Sequence, residues 1–135
     1  MNRNAEQTVR EYFDALATGG DVAAYYAEDA TFWYPGDLPM SGTWRGREAI
    51  VEGFLGAAFG LLDPDKETTI EVTNIIAAEP YVTVEWDSMA TVRNGNAYHN
   101  KNIAIFHVQD GLITTAREYA NTQHWEHVLR DPQAA

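Results

Sequence analysis

Three carboxylates in the second half of the chain stand where acid–base chemistry could be done. Glu85 and Asp87 are two residues apart in a β-rich stretch, so the alternation of a strand puts both on one face with Thr83 and Met89. Two neighbouring negative charges repel. If both are buried, one holds its proton to a raised pKa and suits a general acid; on an exposed strand they are only a solvated face. Glu118 is flanked on its own strand face by Ala116 and Ala120, while Arg117 and Tyr119 point the other way. Small apolar neighbours leave room and offer little solvation. Such burial lifts a carboxyl from about 4.3 toward neutrality, where it can both accept and donate a proton. The plainer alternative pairs Glu118 with Lys101 or Arg117 at a wet rim.

The histidines offer less. His124 and His127 have i, i+3 spacing with Glu126 between them, but no third ligand is evident, so no metal site is expected. His99 and His107 lie on the strand face opposite to that of Asn100, Asn102, Ala104 and Phe106. The chain has no cysteine, which excludes a thiol nucleophile, a disulfide framework and a Cys-based zinc site. It also lacks a Gly-rich phosphate loop, a nucleophile elbow and a dinucleotide fingerprint. No cofactor is expected.

These residues must be positioned by helices that come first and a sheet that comes last. Val9, Tyr12, Phe13 and Leu16 form one apolar stripe of a helix, which Gly19-Gly20 stops. Asp21 is placed to cap a short second helix carrying Val22, Tyr25 and Tyr26. Residues 31–34 read as a strand ended by Pro35-Gly36, and a third helix begins at Gly46, burying Ile50, Phe54, Ala58 and Leu62 before Asp63-Pro64. Residues 68–77, 81–93, 98–108 and 112–122 are strands rich in β-branched and aromatic side chains. Asn94-Gly95 and Asp110-Gly111 are hairpin turn signals between them. Residues 124–129 complete the pattern with one helical turn. The layout is α+β in a single domain spanning 1–135.

Of the 135 residues, 45% are apolar and 21% charged, and twenty acidic residues against nine basic give a net charge of −11. That field repels phosphate backbones and anionic membrane surfaces, so neither nucleic acid nor a membrane is an expected partner. The N-terminal residues lack the apolar core of a signal peptide, and no run approaches membrane-spanning length. The expectation is a cytoplasmic protein.

Several short motifs resemble one known family. Tyr12-Phe13-Asp14-Ala15-Leu16, Glu28-Asp29-Ala30-Thr31, Gly46-Arg47-Glu48-Ala49-Ile50 and Asp110-Gly111-Leu112-Ile113, followed by Arg117-Glu118-Tyr119, resemble SnoaL-like members of the nuclear-transport-factor-2-like superfamily in order and spacing. The resemblance covers residues 6–125 and implies a cone, in which a curved, mostly antiparallel sheet wraps the helices around an apolar pocket. It would turn Glu85, Asn102 and Glu118 into that pocket, and it implies a small hydrophobic substrate or ligand held by Phe32, Tyr34, Trp44, Phe54, Met89, Asn102 and Phe106. The opposite sheet face, with Trp86, Ile103, Ile105 and Tyr119, would form a homodimer interface.

The chemistries of that superfamily fit unequally. Ketosteroid isomerases need a base and two donors; Tyr12 matches one donor, but Tyr34 stands at the base and Ala104 at the second donor. Limonene-type epoxide hydrolases, and hydratases or dehydratases built likewise, would use Asp87 and Glu118 as their carboxylates, yet the bridging arginine falls at Glu85. A SnoaL-like cyclase or isomerase demands least: one carboxylate near the end of the last strand, Glu118, and a donor such as Tyr12, Tyr34 or Asn102. The expected function is therefore cofactor-free proton transfer with Glu118 as base and Asp87, Glu85 and Tyr12 as further catalytic candidates. The alternatives are an epoxide-hydrolase-like enzyme and a non-catalytic pocket for a small hydrophobic ligand.

Overall fold

The computed structural model describes residues 3–130. Helix α1 (Ala5–Thr18) opens on a reciprocal cap: the Gln7 amide donates to Asn4 Oδ1 at 2.8 Å, and the Asn4 amide to Gln7 Oε1 at 3.0 Å. Its stripe of Val9, Tyr12 and Phe13 is buried, and Gly19 in the left-handed region ends it. The expected second helix is a single 3-10 turn, Val22–Tyr25. The Asp21 side chain makes no cap there, and Tyr26 instead opens strand β1 (Tyr26–Tyr34). Strand β2 (Gly42–Arg45) lies in the Pro- and Gly-rich stretch expected to be loop, and it pairs antiparallel with the end of β1. The next helix starts as a π-helical segment, Ala49–Leu55, and continues as α2 (Gly56–Gly60). Gly53 lets this segment lie against Trp44: a Cβ there would sit 2.7 Å from the indole Cζ3.

Four strands follow, β3 (Thr69–Ala78), β4 (Tyr81–Thr91), β5 (Ala97–Gln109) and β6 (Leu112–Tyr119), and helix α3 (Thr122–Val128) closes the chain. The sheet order is β2-β1-β6-β5-β4-β3, parallel only between β1 and β6. Register shifts interrupt the β1–β6, β3–β4 and β5–β6 ladders and bend the sheet around α1. Phe13 packs on Trp86 with ring centroids 4.8 Å apart and on Phe106 at 5.9 Å. The result is the expected α+β cone.

One turn changes which side chains face inward. A two-residue loop at Asn94-Gly95 would pair Arg93 with Asn96 and set Glu85 opposite Ala104. The ladder instead pairs Thr91 with Ala97 and Glu85 with Ile103, and the Val92 amide donates to the Asn96 carbonyl at 2.9 Å. The loop therefore holds three residues, with Gly95 at φ 96°. One residue of slip sends every side chain of a strand to the other face. Val82, Val84 and Trp86 are buried inside, and Glu85, Asp87 and Met89 face out. The implied inward turn of Glu85 is thus corrected, and so is Trp86 as part of an outer interface.

Candidate functional site

The concave side of the sheet holds a pocket of about 90 Å³. Trp86, Ser88 and Ala90 of β4, Tyr98 and Asn102 of β5 and Glu118 of β6 line one side. Leu16 of α1, with Phe54, Leu55, Ala58 and Phe59 of the helix after β2, lines the other. Tyr34 at the end of β1 and Trp125 of α3 close the remaining wall, where the Trp125 indole N–H donates to the Tyr34 hydroxyl at 2.9 Å. Helix α3 is held in place by β5. Asn100 is buried, its Oδ1 accepts from the Asn121 amide at 3.0 Å, and its Nδ2 donates to the Asn121 carbonyl at 3.1 Å.

Among the described residues, Glu118 is the single charged one in this lining. Strand β6 carries it inward because Ala104, its partner on β5, and Ala116 on the same face are both buried. It makes no ion pair among the described residues, and it is half-buried in the pocket wall. Burial alone pushes its carboxyl up to about 8. At pH 7 it is mostly protonated; a little above that it becomes a carboxylate in an apolar wall.

The hydroxyls around it behave oppositely. Burial and then the Glu118 charge raise Tyr34 above the usual tyrosine value, so its phenol stays protonated and serves as a donor rather than a base. Because the Tyr34 oxygen accepts from Trp125, its own proton remains to be given. Asn102 is buried, and its Nδ2 donates to Ser88 Oγ at 3.0 Å, which fixes both side chains on the wall.

The candidate residues thus divide. Glu118, Tyr34, Phe54 and Asn102 meet in the pocket. Tyr12, Phe32 and Phe106 are core: the Tyr12 hydroxyl accepts from Tyr26 at 2.7 Å, Phe32 stacks on Phe54 at 4.2 Å, and Phe106 packs edge-on to Tyr12 at 6.0 Å. Trp44 stands behind Phe54, its indole N–H donating to the Met40 carbonyl at 2.9 Å. Met89, 36% exposed, faces out. Asp87 is on the outer face too, 3.3 Å from Lys101 Nζ and 3.8 Å from His99 Nε2, and Glu85 accepts there from Asn74 Nδ2 at 3.0 Å. The Asp87–Glu118 pair of the epoxide-hydrolase alternative is therefore split across the sheet and cannot act on one substrate atom. His124 and His127 have no third ligand: among the described residues no group of three or more His, Asp or Glu could hold a metal.

Sequence reasoning missed Trp86, Ser88, Ala90, Tyr98 and Trp125. The apolar alternation of Val82, Val84 and Trp86 carried the signal for β4, and the i, i+3 pair Trp125 and Val128 carried it for α3.

A model of the SnoaL-like domain family matches residues 9–116. Among solved structures, Bal32a from a soil-derived mobile gene cassette superposes with a TM-score of 0.81 at 22% identity, over 93% of this chain and 96% of that one. TerC co-crystallised with polyporic acid gives 0.81 at 15% identity, over 93% and 97% of the two chains. A candidate SnoaL-like polyketide cyclase from Jannaschia sp. CCS1 gives 0.79 at 13%, over 98% and 99%. At these identities the likeness is one of fold.

Proposed function

The chain belongs to the SnoaL-like domain family, and from that premise we propose that it is a cofactor-free acid–base enzyme of the isomerase or cyclase type, acting on a small, mostly apolar carbonyl compound. One observation carries the reading: a lone carboxyl, Glu118, in an otherwise uncharged pocket, raised to about 8 by burial. A group so poised accepts a proton and returns it at pH values near neutrality. The Glu118 carboxylate takes a proton from the carbon next to the substrate carbonyl, and the electron pair of that C–H bond moves onto the carbonyl oxygen. The Tyr34 hydroxyl donates to the enolate so formed. Glu118, now the acid, delivers the proton to another carbon of the conjugated enolate; or the enolate carbon attacks a second carbonyl carbon of the same molecule, whose C=O π pair moves onto its oxygen, and Glu118 gives its proton to that alkoxide.

The test needs no knowledge of the natural substrate. 2-Tetralone is a small apolar ketone with acidic α-hydrogens, and their exchange with D2O is followed by NMR. The protein should accelerate exchange with saturation. Glu118→Gln preserves volume and should lower that rate by about 10²- to 10⁴-fold. Saturable binding of 2-tetralone without acceleration would replace this reading with a non-catalytic binding protein.

A further inference from the structure

A second cavity adjoins the first. It is an open groove of about 370 Å³ between the end of α1 and the helix after β2, and among the described residues its lining contains no charged or hydrogen-bonding side chain. Leu16, Leu55 and Phe59 line both the pocket and this groove. The wall between the two is therefore only those side chains thick, with Leu55 and Phe59 four apart on one helix. Phe59 is 40% exposed at the junction, a large apolar side chain left in water where the two cavities meet. Gly19, Gly20 and Gly56 supply the groove with backbone in place of side chains, which keeps it hollow.

We propose that the pocket and the groove are two chambers of one binding site, and that the substrate is a carbonyl compound bearing an apolar chain. Its reactive end lies against Glu118, and its chain passes Leu16, Leu55 and Phe59 into the groove. This rests on the acid–base reading for the head of the molecule and adds the tail. Size supports it: the inner pocket, at about 90 Å³, falls well below the roughly 300–1,000 Å³ of ordinary small-molecule sites. The groove brings the whole into that range, and an apolar chain is the ligand chemistry its walls can take without leaving a polar group unpaired.

The experiment uses a series of phenyl ketones, from acetophenone through butyrophenone and hexanophenone to octanophenone, bound to the intact protein and measured by calorimetry. The expected result is an affinity that rises roughly threefold or more for each methylene added, near the transfer value of a buried CH₂. Gly56 has helical backbone (φ −60°) and nothing within 4 Å of where a Cβ would stand, so Gly56→Phe fills the groove without displacing the core. It should abolish the rise with chain length, so that octanophenone binds no tighter than acetophenone. Gly56→Ala, which leaves the groove open, should keep the rise. Acetophenone binding with no gain on lengthening, or a gain that survives Gly56→Phe, overturns the two-chamber site while the acid–base reading stands. No 2-tetralone exchange, with chain-length dependence intact, overturns the catalytic reading and leaves the two-chamber site. If none of the ketones binds, both fall.

Discussion

The concave and convex faces of the sheet each hold a carboxylate, and they are treated in opposite ways. Asp87, on the convex face, has Lys101 at 3.3 Å and His99 at 3.8 Å. Glu118, on the concave face, has no counter-charge among the described residues, and its wall of Ala90, Trp86 and Tyr98 solvates it poorly. The first arrangement is ordinary surface electrostatics, screened by salt and worth little. The second is costly to the fold and therefore calls for a reason, which proton transfer supplies.

The largest expected effect separates the two faces by activity. Exchange of 2-tetralone should fall by about 10²- to 10⁴-fold in Glu118→Gln and stay within about twofold of the parent in Asp87→Asn, which removes a charge that never meets the pocket. Since the carboxylate form of Glu118 is the base, the rate in the parent should climb with pH and level off above about 8. A flat profile between pH 6 and 9 would remove Glu118 from the reaction.

Stability should invert that ranking. A rise of the Glu118 carboxyl from 4.5 to about 8 corresponds to a penalty on the order of 5 kcal/mol on the folded, ionised form, an upper figure. The sign follows from proton binding: below pH 4.5 both states are protonated and the penalty is absent. Between 4.5 and 8 the unfolded chain releases the proton while the folded one keeps it, so stability declines, and above 8 the loss is complete. Glu118→Gln should therefore be a few kcal/mol more stable than the parent at pH 9 and close to it at pH 4.5, as read from urea unfolding. Equal stability at both pH values would mean that Glu118 is solvated after all.

The convex face also carries Ile103 (37% exposed) and Tyr119 (44% exposed), with the Trp33 ring tilted against Tyr119 at 5.2 Å. We propose that two copies associate through this face as a homodimer. Ile103→Glu buries a charge in such a contact and should weaken self-association by tenfold or more in sedimentation equilibrium, leaving 2-tetralone exchange by the remaining monomer intact. A parent that sediments as a monomer at micromolar concentration would refute the proposal.

How far the two faces could be read from sequence depended on local rules. The helix stripe of Val9, Tyr12 and Phe13 and the order of helices before sheet follow from periodicity; alternation puts Asn102 and Ala104 on one face, the family resemblance turns that face and Glu118 inward, and all are found. The face of β4 depended on whether its hairpin loop held two residues or three, a choice that Asn94-Gly95 alone does not decide. Alternation of Val82, Val84 and Trp86 with Thr83, Glu85 and Asp87 favoured the correct face. Laying Glu85 and Asp87 on positions of related proteins favoured the other, and there the local pattern was the better guide. The closure of the pocket by α3 was out of reach for a different reason. Trp125 reaches Tyr34 across 91 positions of sequence, and no short-range pattern encodes that contact.

The smallest expected effect is the sharpest check on the contrast. Asp87→Asn removes the charge facing Lys101, whose side chain is 80% exposed, so the cost should be only about 0.2–1 kcal/mol at low salt. That cost should shrink further at 0.5 M NaCl, where the screening length is only a few ångströms. Glu118→Gln at pH 9 should show the opposite response: its gain comes from desolvation of a carboxylate behind protein, which salt does not relieve, so urea midpoints at low and high salt should differ from the parent by the same amount. The two variants together separate a charge whose energy is set by water and ions from one whose energy is set by the wall around it. If salt changed the Glu118→Gln increment as much as the Asp87→Asn increment, the concave carboxylate would be in contact with bulk solvent, and the contrast between the faces would fail.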